Sequence, residues 1–298
     1  MRARPKRRLD FTPDHSVEIT VAPNGGACFG VVRAIKLGFQ AAAATGKVHS
    51  IGPLIHNESV VRELERRGVS TVAGADEVTE GTAILRSHGI RRQAEATLRE
   101  RGVKVIDATC PLVKKPQRIA QALGEKGYFL VLVGDPNHPE VQGVLSYFGR
   151  PDYAVLYDPA ALDAVPTGTR RVGILAQTTI EASVLEAVTA AARERFEEVA
   201  VYNTICDATS VRQTEAATLS RTADVVVVVG GHHSSNTNKL VKICRGNQPD
   251  THHVESIEEI EPAWFAGKRK IAVTGGASTP QDYVDLAAEH IATLLGRP

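Results

Sequence analysis

The stretch VEITVAPNGGACFGVVRAI, Val17–Ile35, contains the unit from which the chain is built. β-Branched residues come first and read as a strand, which a proline, an asparagine and two glycines then break. A cysteine follows, and after it apolar residues near helical spacing. A buried structural cysteine does not need this setting. A metal ligand or a nucleophile does, because a helix N-terminus lowers the pKa of a thiol and favours the thiolate.

The unit recurs. VKVIDATC ends at Cys110 and VAVYNTIC at Cys206, each a short strand running through a turn into cysteine. The segments downstream of Cys28, Cys110 and Cys206 all carry helical spacing. Pro111 suits a first helical turn, whereas Pro116 lies deeper and predicts a helix that starts late or kinks. Twenty-eight residues beyond the cysteines stand His56 in IGPLIHNES, His138 in VLVGDPNHPEV and Ser234 in VVVGGHHSSNTNKLV. A third strand-like run ends at His88 in AILRSHGI, at Thr178 in VGILAQTTI and at Ser278 in IAVTGGASTP.

Three units of about 90 residues thus share one order, a period too long for a solenoid. Alternation alone yields strand, turn and helix, but three equal offsets that each land on a polar turn residue argue against chance. The expected class is α/β, with three pseudo-threefold-related domains built on parallel sheets. In such folds functional residues gather at the carboxyl ends of strands, and three domains can aim those ends at one centre. The expected division is 29–109, 110–205, and 206–298 together with the strand 17–28.

Composition narrows the class. The chain has 298 residues, 43% hydrophobic and 23% charged, with a formal net charge of +1. Nothing global draws it to nucleic acid or a membrane. The longest apolar run, DVVVVVG (Asp224–Gly230), is too short for a bilayer and reads as a buried strand. MRARPKRR at the start holds five basic residues and no apolar run follows, so residues 1–16 read as a basic, disordered tail. Four cysteines without a CxxC pair suggest a reducing cytoplasm and no disulfide framework.

Three cysteines, one per unit, leave two metal readings open. One is zinc held by three thiolates and one further ligand, although structural zinc sites favour close-spaced pairs and the gaps here are 82 and 96 residues. The other is a cubane iron–sulfur cluster, in which three thiolates leave one iron open for substrate. Cys244, late in an apolar helix, reads as a buried free thiol. His56, His88 and His138, with Ser234, Ser235, Asn236 and Ser278, form a donor set suited to a multiply charged oxyanion. No Walker A or dinucleotide-binding motif stands in place, so a small phosphate or diphosphate ester is expected. In HPEV, Pro139 is the expected first helical residue. Glu140 then lies in the first turn, where it is either an ordinary helix-start glutamate or a general acid.

GGACFGVVRAI, GPLIHN, RSHG, DATCPLV, GDPNHPEVQG, QTT, TICDAT with RQ, GGHHSSNTNKL and GGASTP follow one another as in the 4-hydroxy-3-methylbut-2-enyl diphosphate reductases. From about Val17 onward the chain resembles this IspH/LytB family. The resemblance implies a trefoil of α/β domains around a [4Fe–4S] cluster held by Cys28, Cys110 and Cys206, with one open iron. It implies substrate contacts from His56, His88, His138, Thr178, Ser234, Ser235, Asn236 and Ser278. Glu140 becomes the proton donor, assisted by Thr178 and His138. The implied reaction is reductive dehydroxylation of the diphosphate to isopentenyl and dimethylallyl diphosphate, the last step of the non-mevalonate pathway. The rivals are a paralogue acting on another allylic diphosphate and a non-catalytic sensor. No flavin or nicotinamide motif is visible, so electrons must come from an external ferredoxin or flavodoxin, and a monomer is expected. The chain departs from the family pattern at Val32, at His232 and His233, and in TGGAS, where TAGAS is more usual.

Overall fold

The computed structural model describes residues 17–296, so the basic tail expected at 1–16 lies outside the described residues. Three four-stranded sheets, all parallel, organise the described residues. The first contains β2 (Val48–Ile51), β3 (Val69–Val72), β4 (Thr82–Leu85) and β5 (Lys104–Asp107), in the order β3-β2-β4-β5. The second contains β6 (Phe129–Val133), β7 (Tyr153–Leu156), β8 (Arg171–Ala176) and β9 (Glu198–Tyr202), in the order β7-β6-β8-β9. The third contains β10 (Val225–Val229), β11 (Thr251–Val254) and β12 (Lys270–Gly275), and takes its last strand, β1 (Glu18–Val21), from the start of the chain. Its order, β11-β10-β12-β1, repeats the other two.

Parallel neighbours need crossovers, and helices provide most of them. A helix follows each of Cys28, Cys110 and Cys206: α1 (Phe29–Thr45), α4 (Pro111–Glu125) and α7 (Asp207–Ser220). A second follows each first polar position: α2 (Glu58–Arg66), α5 (Pro139–Phe148) and α8 (Ser235–Asn247). A third follows each second polar position: α3 (Arg92–Glu100), α6 (Ala182–Arg195) and α9 (Gln281–Leu294). Central strands are covered on both faces, which explains their unbroken apolar runs. Val225, Val227 and Val229 pack with Phe265 and Ile291 on one side, and Val226 and Val228 with Leu240 and Cys244 on the other. Each such valine contributes roughly 1.5–3 kcal/mol relative to exposure. Among the described residues no helix is long and apolar enough to cross a membrane.

The three sheets are distributed over two compact units. One holds the described residues up to Phe29, His56–Glu58 and the described residues from Asp207 onward; the other holds Gly30–Ile55 and Ser59–Cys206.

Two expectations change. Each repeat has four strands rather than three, because β3, β7 and β11 form sheet edges. Helix α4 does not start late: it begins at Pro111, with Cys110 as N-cap, and runs through Pro116. Pro111 loses only an N–H that a first turn leaves unpaired, and Pro116 forfeits one bond to Leu112. The Pro116 ring is buried within a helix that packs along α5, which offsets that loss.

Gly275, in the unusual TGGAS, ends β12. A methyl group there would meet Val284 Cγ2 of α9 at 2.4 Å, so Val284 occupies the space an alanine would need. Val284 is buried and β-branched and has little freedom to turn away. Gly275→Ala is expected to lose about 1–3 kcal/mol by overpacking, read from chemical denaturation. The same substitution in a Val284→Ala background should cost less, and equal costs in both backgrounds would refute this account of the glycine.

Candidate functional site

In the unit holding the first two sheets, the candidate residues lie at the carboxyl ends of β4, β5, β6, β8 and β9. Pro139 opens α5, and His138 is its N-cap: Nδ1 accepts the Glu140 N–H at 3.2 Å. In a neutral ring the proton therefore sits on Nε2, so His138 can donate without being charged. Because His138 caps the helix, the Glu140 side chain is released from that task. It is 1% exposed and turns to the end of β8, where Oε1 accepts the Thr178 N–H and Oε2 the Thr178 hydroxyl, both at 2.7 Å. The Thr178 carbonyl in turn accepts the Cys206 N–H at 3.0 Å. On the neighbouring strand ends, the Ser87 carbonyl accepts the Cys110 N–H at 3.0 Å. His88, the next residue, meets the His138 ring edge-on at 5.7 Å between centroids. Bonds and ring contacts thus link His88 to His138, His138 to Glu140, and Glu140 through Thr178 to Cys206.

The other unit carries His56, Ser234, Ser235, Asn236, Ser278 and Cys28. Ser234 caps α8, its hydroxyl accepting the Thr237 N–H at 3.3 Å. Asn236 is buried, yet neither its amide nitrogen nor its amide oxygen has a hydrogen-bond partner. An unpaired buried polar group costs about 1–3 kcal/mol, a cost that a hydrogen-bonding ligand would remove. The turn before it needs glycine. Gly230 has φ +150°, and a methyl group there would meet Thr279 Oγ1 at 2.6 Å and Thr237 Oγ1 at 2.8 Å. A methyl group on Gly231 would meet the His56 carbonyl at 2.9 Å, so the segment bearing His56 lies beside this loop. The Cys28 N–H donates to Ala277, beside Ser278, at 3.0 Å. His232 and His233 are exposed, and the His232 N–H donates to Glu255 at 3.3 Å.

Every cysteine turn is therefore tied, through its own N–H, to the loop that ends the neighbouring strand. Sequence reading missed Gln177, which is 2% exposed. Its Oε1 accepts the Asp135 N–H at 3.0 Å and its Nε2 donates to Thr179 Oγ1 at 3.1 Å, fixing the loops that bear His138 and Thr178 to each other. A polar residue directly before Thr178, after the apolar run Val172–Ala176, was the available signal.

The model of the LytB protein family matches residues 19–292. The chain belongs to the LytB family. A relative in Geobacter metallireducens, a 4-hydroxy-3-methylbut-2-enyl diphosphate reductase, is 44% identical to this LytB chain over 92% of it and 97% of the relative. One of the same name in Pelobacter propionicus is 42% identical, over 90% and 95%. A solved structure of (E)-4-hydroxy-3-methyl-but-2-enyl diphosphate reductase, the terminal enzyme of the non-mevalonate pathway, is 39% identical with a TM-score of 0.69. It covers 92% of this chain and is itself covered to 99%. The corresponding Plasmodium falciparum structure, 24% identical with a TM-score of 0.86 over 92% of this chain, shares the fold.

In this LytB chain, Cys28, Cys110 and Cys206 are half-buried cysteines outside any disulfide, each directly before the first turn of a helix. Unpaired N–H groups there present a positive end. Cys244 differs: it is fully buried within α8, and burial pushes its thiol up to about 11. Among the described residues no group of three or more His, Cys, Asp or Glu side chains is set to hold a single metal ion. A cubane takes its thiolates at separate corners, so its ligands need not converge on one point. Three accessible thiols at equivalent turns fit that donor requirement.

Proposed function

We propose that this LytB family member is a 4-hydroxy-3-methylbut-2-enyl diphosphate reductase that removes the allylic hydroxyl of its substrate. The reaction consumes two electrons and two protons. The carbon–oxygen bond breaks, the oxygen leaves as water, and a new carbon–hydrogen bond at one end or the other of the allyl unit gives dimethylallyl or isopentenyl diphosphate. The observation that carries the reading is the buried Glu140–Thr178 pair. A glutamate that only started a helix would cap it or face water. Here His138 caps, and the carboxyl group is withdrawn from solvent and bonded to a hydroxyl.

Cys28, Cys110 and Cys206 would hold a [4Fe–4S] cluster, which when bound supplies electrons and an open iron. The residues do the rest. Thr178 fixes both oxygens of Glu140 and offers its hydroxyl as a relay, so a proton held on Glu140 has one short path outward. His138 Nε2–H, His88 and His56 donate toward negative charge. Ser234, Ser235, Asn236 and Ser278, at helix starts and glycine turns, bind the diphosphate, and the unpaired Asn236 amide gains its partners on binding. Electrons come from an external ferredoxin or flavodoxin. A reducing cytoplasm suits cysteines outside any disulfide, and the enzyme works as a monomer.

The test is anaerobic reconstitution of the cluster, followed by assay of the hydroxylated diphosphate with an artificial electron donor. Formation of the two five-carbon diphosphates supports the reading, and tight binding without turnover overturns it in favour of a sensor. Substrate affinity probes the pocket separately. His56→Ala, His88→Ala and Asn236→Ala should each weaken binding about ten- to a hundredfold, the loss of one charge-assisted hydrogen bond of roughly 1.5–3 kcal/mol. Unchanged affinity in all three would put the anion elsewhere.

A further inference from the structure

Two cysteine turns are gripped by arginines that the mechanism above does not use. Arg212, on α7, is 7% exposed. Its Nε and Nη2 both donate to the Gly26 carbonyl, at 3.1 and 2.6 Å, and its Nη1 to Ala208 at 2.8 Å. Gly26 lies two residues before Cys28 and has φ +153°; a methyl group there would meet Gln281 Oε1 at 2.5 Å. In the other unit Arg33, on α1, donates from Nη2 to the Asp107 carbonyl at 3.1 Å and from Nη1 to Thr109 at 3.3 Å. Thr109 directly precedes Cys110. The arginines sit at matched places, five residues after Cys28 and six after Cys206. At the equivalent places after Cys110 stand Lys115 and Pro116. The Cys206 turn is braced from within, Thr204 Oγ1 bonding both the N–H and the carbonyl of Ala176.

We propose that Arg212 and Arg33 are positioning residues for the iron–sulfur centre, placing a fixed positive charge on the main chain of two ligand turns and so raising the reduction potential of the cluster. This rests on the reading of Cys28, Cys110 and Cys206 as its ligands. A cluster held by thiolates becomes more negative when reduced, and a nearby cation in a low-dielectric setting favours that state. Arginine suits the task in both charge and geometry. It keeps its charge when buried, and its planar fork holds one carbonyl with two N–H groups, which fixes the peptide plane leading to the ligand. A scaffold that only needed the turn tied down could use a neutral donor, as the Thr204 hydroxyl does at the third turn.

The experiment is a redox titration of the reconstituted full chain, followed by absorbance and electron paramagnetic resonance, with iron content measured in parallel. Arg212→Gln and Arg33→Gln are expected to lower the midpoint potential at unchanged iron per chain, and Arg212→Lys and Arg33→Lys to restore most of the wild-type value. Wild-type potential in the glutamine variants overturns the inference, as does a lysine variant that falls as far as its glutamine counterpart. If Arg212 variants do not fold, the half-buried Arg33 pair decides by the same criterion. A wild-type chain that takes up no iron removes the proposed function and this inference together. A wild-type chain that carries the cluster, with variants of unmoved potential, removes this inference alone.

Discussion

Glu140→Gln is expected to fold, take up iron and bind substrate at near wild-type affinity, yet to turn over roughly 10²–10⁴-fold more slowly, the scale of a lost general acid. The structure explains why binding and folding should survive. The side chain is sealed in a space that a glutamine fills equally well. The amide oxygen can still accept the Thr178 N–H, as Oε1 does. The Thr178 hydroxyl donates to Oε2 in the native pair, and it can accept from the new amide nitrogen instead. Only the transferable proton is lost. Thr178→Val should show a milder loss, because a hydroxyl orients or relays a proton and does not originate it. Turnover at matched iron content is the measurement. A Glu140→Gln enzyme within a factor of a few of wild type would leave Glu140 as a buried structural acid.

Replacing any one of the three turn cysteines should have an effect of comparable size on the metal. Cys28→Ser, Cys110→Ser and Cys206→Ser are each expected to lose the cluster or hold it in damaged form. Anaerobic wild-type protein should be brown with about four irons per chain, as a cubane requires. Cys244→Ser is the internal control. That thiol is packed among Ala216, Val226 and Leu240, and its raised pKa keeps it protonated. The change should cost some stability, since a hydroxyl is buried in an apolar setting, but no iron. Stoichiometric zinc in place of iron in anaerobic wild-type protein would end the cluster reading. Exposure to air should abolish activity if one iron is open.

How much of this could be read beforehand follows from what leaves a trace in local sequence. Val225–Val229 announced a strand buried on both faces because every residue in it meets a core. Pro139 and Glu140 announced a helix start because Pro is tolerated at the first helical position. Cys244 announced its burial through its apolar neighbours. The edge strands left no such trace. Val69–Val72 and Tyr153–Leu156 are four residues long and partly exposed, and they are held mainly by a neighbour's main chain. Pro116 suggested a late start that α4 does not have, because its penalty is local while its compensation, packing along α5, is tertiary. The Glu140–Thr178 pairing joins residues 38 apart, and the role of Gln177 depends on Asp135 across a strand gap. Spacing could mark these positions as equivalent, but could not say which atoms would meet. The space beside Gly275 belongs to Val284, nine residues later.

The order in which the chain is made matters for one of these sheets. The strand Glu18–Val21 leaves the ribosome long before its partner, Lys270–Gly275, with Val21 set against Val273. The sheet of Val48–Asp107 and that of Phe129–Tyr202 each have all their strands contiguous and can form while synthesis continues. The remaining sheet must wait for Lys270–Gly275 before Glu18–Val21 can pair, the kind of distant pairing that folds slowly. Throughout that interval Cys28 has no Ala277 carbonyl to hold its turn. A cluster that needs all three cysteine turns would therefore wait for Ala277, and Cys28, the earliest of the three thiols in the sequence, is the last to have its turn held.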